Sequence, residues 1–143
     1  ERTRNQQMGA IMQGKTKIET LRGNAVDDWA VIQIEPIEIP AFPIGNIRDP
    51  QNGERAFIIQ HPGGREKKVG FVRNQIVSVS NKNLYYLTDT EAGSSGSPVF
   101  GGDGKLLGIH RAGGTPQTWV GASPIKKNEG VLIKVILHKL QGS

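Results

Sequence analysis

The stretch TDTEAGSSGSPVF, residues 88–100, decides how the rest of the chain is read. It sets serines between glycines in one tight turn and then runs directly into an apolar strand. Glycine is used where a backbone must turn sharply or be approached closely by another group. A serine between two glycines at such a turn is held up and exposed, which is how a nucleophile is presented. A plain serine-rich β-turn uses the same residues without any chemistry. The flanking sequence has to separate the two.

Working outward, SPVF and KLLGIH flank GGDG, a hairpin signal. On the amino-terminal side, NLYYLTDT (83–90) and KKVGFVRNQIVSVS (67–80) read as strands. AFIIQ (56–60) reads as a short buried strand ended by the turn HPGG. AFPIGNIRDPQNGER (41–55) is punctuated by Pro43, Gly45, Pro50 and Gly53 and reads as a long loop. AVIQIEPIEI (30–39) alternates apolar and polar residues around a proline, as half-buried strands do. TWVGASPI (118–125) is another short strand, and residues 1–20 are polar and weakly patterned. Only EGVLIKVILHKLQ (129–141) has helical spacing, with Val131, Ile133, Val135, Ile136 and Leu140 available for one face. Short strands at regular spacing with one terminal helix predict an all-β barrel or sandwich.

The 143 residues suffice for one domain with a real core, and 36% apolar with 22% charged residues is a globular composition. The net charge of +5 permits an acidic partner but does not require one. Basic residues such as those of REKK (65–68), Lys126 and Lys127 are scattered. With aromatics at only 6%, base-stacking surfaces are poorly supplied, so nucleic acid is not the expected partner. The absence of cysteine excludes a disulfide framework and fits a reducing, cytoplasmic setting without requiring it. No apolar run is long enough for a membrane helix and no signal peptide is visible. The first residue is Glu1, so the chain is expected to be a piece of a longer polypeptide. No metal-ligand cluster is visible and no cofactor is implied.

Three motifs then fall in a telling order: DWAVIQI from Asp28, GSSGSP (93–98), and GIHRAGG (108–114) one hairpin later. Together with IIQHPGG and the terminal helix, they resemble the chymotrypsin-like (trypsin-like) serine proteases, in the cysteine-free bacterial-type branch that includes the glutamyl endopeptidases. The resemblance covers most of residues 25–141. It implies a double β-barrel with a C-terminal α-helix. Residues 1–45 would be the remainder of an incomplete N-terminal barrel, and residues 46–143 the complete C-terminal barrel. It implies that Ser95 is the nucleophile of acyl-enzyme peptide hydrolysis. The backbone N–H groups of Gly93 and Ser95 would form the oxyanion hole, where one donor is worth roughly 3 kcal/mol of transition-state stabilisation. Ser94 and Ser97 would hold the turn by local hydrogen bonds. Asp28 rather than its neighbour Asp27 would be the triad acid, orienting a histidine.

The sequence departs from the family at that histidine. The three present, His61, His110 and His138, all follow Asp28, whereas the family places its base upstream of the acid. His61 reads as a turn residue, His110 as part of the specificity pocket, and His138 as a helix residue. The base is therefore expected on an N-terminal segment of the same protease, present as a separate or cleaved chain. A catalytically inactive protease-fold module that binds extended peptides is the alternative. In the resemblance, Thr90 and His110 contact the P1 side chain, a hydroxyl and a ring N–H suited to the oxygen of Glu or Gln. Asp89 has the offset of the acid that binds Lys or Arg in trypsin-type enzymes, so a basic P1 stays open, as does an apolar one. Arg111, Ala112 and Gly113 would offer a strand edge to an extended protein or peptide substrate.

Overall fold

The computed structural model describes residues 22–117 and 125–142. Among the described residues, nine strands and one α-helix follow one another. A small hairpin comes first, β1 (Arg22–Asn24) and β2 (Trp29–Val31). Then come β3 (Ala56–Gln60), β4 (Lys68–Gly70), β5 (Ile76–Val79), β6 (Asn83–Tyr86), β7 (Pro98–Gly101), β8 (Leu106–Gln117) and β9 (Ile125–Leu132). The chain closes with α1 (Ile133–Gln141).

Strands β3 to β9 form one antiparallel sheet in the order β4-β3-β7-β8-β9-β6-β5. The sheet curls until its ends meet. Ala56 N–H donates to Asn74 O at 2.8 Å, and Ile76 N–H donates to Glu54 O at 2.9 Å. These bonds remove an edge that would otherwise be open to other chains. The all-β expectation with a terminal helix thus holds. Alternation inside the strands explains the curl: in AFIIQ the residues alternate buried and half-buried, as one face turns inward. Ile58, Ile76, Leu84, Tyr86, Val99 and Leu107 are fully buried in the centre. Each such aliphatic side chain is worth roughly 1.5–3 kcal/mol of burial. Gly108 lies on β8 opposite Leu132 of β9. A Cβ there would lie 2.4 Å from Val131 O and 2.6 Å from Leu84 Cδ2.

Several sequence expectations need correction. The helix starts at Ile133, not at residue 129. Glu129–Leu132 continue β9, because their partners in β6 and β8 take them into two ladders at once. The stretch 67–80 is two strands, broken where Arg73 takes a left-handed φ of +53°. The apolar alternation at 30–39 makes a strand only as far as Val31. Beyond it Ile32, Ile34, Ile37 and Ile39 are exposed. Pro36 and Pro40 interrupt the ladder donors there, and no neighbouring strand among the described residues covers that face. The TWVGASPI strand lies almost wholly outside the described residues, as do residues 1–20.

Candidate active site

The turn at 93–97 is built by two left-handed glycines, Gly93 (φ +94°) and Gly96 (φ +86°), on either side of Ser94-Ser95. Ser94 is fully buried. Its N–H donates to Glu91 O at 3.1 Å, and its Oγ accepts from Glu91 N–H at 3.4 Å. Beyond the turn, Gly96 N–H donates to His110 O and His110 N–H donates to Ser97 O, both at 2.8 Å. That pair clips the turn to β8. Ser95 is left exposed, its Oγ donating to Arg111 O at 3.3 Å.

The amides of Gly93 and Ser95 have no acceptor among the described residues. A neighbouring turn fixes the Gly93 amide. Gly63 N–H donates to Ala92 O at 2.7 Å. A trans peptide points its N–H opposite to its C=O, so the Gly93 N–H faces away from Gly63. Arg65 ties the same two turns together, with Nη2 2.5 Å from Glu91 Oε2 and Nε donating to Pro62 O at 3.1 Å.

Asp28 ends the tight turn between β1 and β2, in the left-handed region at φ +56°. Aspartate is among the few residues that accept this conformation readily. Asn24 Oδ1 organises the turn by accepting from the N–H groups of Val26 and Asp27, each at 3.0 Å. The two adjacent acids have opposite environments. Asp27 is buried and receives Lys139 Nζ and, at 2.8 Å, Lys82 Nζ. Lys139 first and Lys82 second hold its carboxyl below the usual carboxylate range. Asp28 is exposed. Together with Ser95, Trp29, Arg111, Ile133 and Ile136 it lines a cavity of about 570 Å³. A water occupies about 30 Å³, so the space between acid and serine accepts a whole side chain.

His110 is almost completely buried, and its Nδ1 lies 2.5 Å from the hydroxyl of fully buried Tyr86. Burial pushes the imidazole down to about 4 and raises the Tyr86 phenol. His110 is therefore neutral near pH 7. The short bond to the Tyr86 hydroxyl fixes the orientation of the ring. Thr90 does not meet His110 directly. Its Oγ1 donates to Asn128 Oδ1 at 2.8 Å. Asn128, buried in β9, donates from Nδ2 to Thr88 O. Gly113 completes this group, since a Cβ there would lie 2.7 Å from Asn128 Oδ1 and 3.1 Å from Thr90 Oγ1. Asp89 is exposed between buried Thr88 and half-buried Thr90, and its backbone carbonyl accepts from Gln60 Nε2 at 3.0 Å.

The β8 edge changes character at His110. Up to Ile109 the strand pairs with both β7 and β9, whereas Ala112 and later residues pair with β9 alone among the described strands. Arg111, whose Nε lies 3.4 Å from Glu129 Oε1, starts the one-sided segment, with Ala112 opposite Glu129.

Two of these residues escaped the sequence reading. Tyr86 was legible as the inward member of the YY pair only once the strand's facing was known. Asn128 carried no signal, because its value comes from lying opposite Tyr86 across β6 and β9. His61 adds a turn role, its Nδ1–H donating to Arg65 O at 3.0 Å.

The sequence model of the trypsin-like peptidase domain matches residues 4–109. The chain belongs to that family. Among relatives, it is 32% identical over 110 residues to "Secreted RxLR effector protein 73" of Plasmopara viticola, a match covering 66% of this chain and 27% of that protein. It is 34% identical over 68 residues to "Uncharacterized protein y4fB" of Sinorhizobium fredii, covering 43% of this chain and 10% of that protein. The chain thus spans about a quarter or less of the curated relatives it matches. Family membership makes the Ser95 turn and the Asp28 hairpin parts of a peptidase-type domain.

Proposed function

We propose that the chain is the nucleophile-bearing part of a serine endopeptidase. The observation that carries this is the shared cavity, into which both Asp28 and Ser95 face. Ser95 Oγ attacks the scissile carbonyl. The unclaimed amides of Gly93 and Ser95 receive the oxyanion, and Asp28 orients the base.

The base is a histidine from polypeptide outside this chain, entering that cavity. The chain's own histidines are committed elsewhere. His110 is held by Tyr86, and His61 by Arg65 O. His138 lines a separate hollow with Arg22 and Trp29. The exposed apolar residues from Val31 to Ile44 support a partner segment. They form the face against which the rest of an N-terminal barrel would pack, leaving residues 1–45 as its remainder.

At P1 the enzyme takes Gln or Glu, in keeping with the glutamyl-endopeptidase-like branch. A neutral His110 offers an N–H without charge, and the Thr90–Asn128 pair next to Gly113 is likewise polar and uncharged. That environment suits the amide of Gln better than a desolvated carboxylate. Asp89 is exposed, which weighs against a basic P1. Arg111 to Gly113 bind the substrate main chain along the one-sided edge of β8.

The test is labelling of Ser95 by a fluorophosphonate in the complete protease. Covalent modification, lost in Ser95→Ala, is the expected result. The second reading is a catalytically inactive module that binds peptides along β8. It is favoured by the one contact Ser95 Oγ makes here, to a backbone carbonyl and not to a base. Unreactive Ser95 with intact peptide binding would select it.

A further inference from the structure

Ser95 borders a second cavity, of about 400 Å³, whose lining does not include Asp28. It is lined by Gly93 and Ser95 and, across from them, by Ile59, His61 and Lys67. The first cavity shares Arg111 and His110 with the edge that holds the acyl part of a substrate. The second is lined by both residues of the proposed oxyanion site, Gly93 and Ser95, and not by Arg111 or His110. A chain that lies along β8 and presents its carbonyl to Ser95 therefore continues past Gly93 into the second cavity.

The charges around this cavity are one-sided. Lys67 is exposed and has no acid within ion-pair distance among the described residues. Glu91, the acid next to Gly93 in this corner, is taken by Arg65 at 2.5 Å. Glu66 is not among the lining residues. The Nδ1–H of His61 is spent on Arg65 O, which fixes the ring as a wall of the cavity.

We infer that this cavity is the subsite for the leaving-group side of the substrate and selects an acidic side chain there, through Lys67. The inference rests on the peptidase function proposed for Ser95, and it names a determinant independent of the P1 pocket. An extended peptide with Glu or Asp one or two residues after the scissile bond places a carboxylate near the Lys67 ammonium. A Lys at the same place meets a like charge.

The experiment uses two fluorescent peptides that share a Gln at P1 and differ only in Glu or Lys at the second position after the scissile bond. Their binding to the full chain carrying Ser95→Ala is followed by anisotropy at low salt. The Glu peptide is expected to bind about 5–10-fold more tightly, the range open to one or two partly exposed charge pairs. Lys67→Gln should erase the difference and Lys67→Glu should reverse it, with unchanged circular dichroism. Equal binding of both peptides, or a preference that survives Lys67→Glu, overturns the inference. Cleavage of both peptides by the complete protease at equal rates overturns it too, while leaving the peptidase assignment standing. A Lys67-dependent preference in a protein whose Ser95 resists fluorophosphonate upholds the subsite and overturns the peptidase assignment.

Discussion

Tyr86 and His110 show what one buried pair can do. The ring is neutral because its surroundings cannot solvate an imidazolium, and the phenol holds it in place through the hydrogen bond at Nδ1. The linkage sign follows. His110 has a folded-state pKa of about 4 against an ordinary value near 6.5, so the unfolded chain binds the extra proton between those values. Stability is full above about pH 6.5 and declines as pH falls toward 4. The loss is of order 3 kcal/mol. Urea midpoints measured from pH 7 to pH 4 should show this decline, and His110→Gln should flatten it. Tyr86→Phe strips the ring of its partner and should cost about 1–3 kcal/mol. In the complete protease it should also weaken discrimination for Gln at P1, read as kcat/KM on paired Gln and Leu substrates. Ser95→Ala should abolish hydrolysis with no change in thermal midpoint, since the exposed hydroxyl makes only one hydrogen bond.

At the scale of elements, the Ser95 turn depends on the Pro62–Gly64 turn packed against it. A Cβ on Gly93 would sit 3.1 Å from Gly64 N and 3.4 Å from His61 O, at φ +94°. Gly93→Ala should therefore destabilise by roughly 1–3 kcal/mol. By tilting the oxyanion amide it should lower kcat about 10²–10³-fold, with KM much less affected. This dependence shows where sequence reading works. The glycines of GSSGSP and the HPGG turn are local signals, as is the hairpin at GGDG, and all can be read from neighbours in the chain. That the two turns meet, through Gly63 N–H on Ala92 O, is a contact across 29 residues and leaves no local trace. The same limit hid Asn128 and misplaced the helix start. The apolar spacing of Val131 and Leu132 serves a strand between two partners as well as it serves a helix.

For the molecule as a whole, the curled sheet carries the stability. Leu107, fully buried on β8, is its clearest probe: Leu107→Ala should cost about 2–5 kcal/mol, measured by chemical denaturation. The outer parts are held to the sheet by ion pairs. Arg48 grips Asp103 through Nε at 2.9 Å and Glu54 through Nη1 at 3.0 Å, and Lys134 reaches Asp49 at 2.7 Å. The tie from Asp27 to Lys139 spans 112 positions of sequence, and it gives the last helix a duty beyond packing. The acid is stationed by the tail of its own chain. An exopeptidase that nibbled residues 139–143 away would leave Asp27 only its Lys82 tie, loosening the Asp28 hairpin while the barrel and its serine stayed in place. The proposed peptidase would then fall silent by losing aim, with nothing in the Ser95 turn altered.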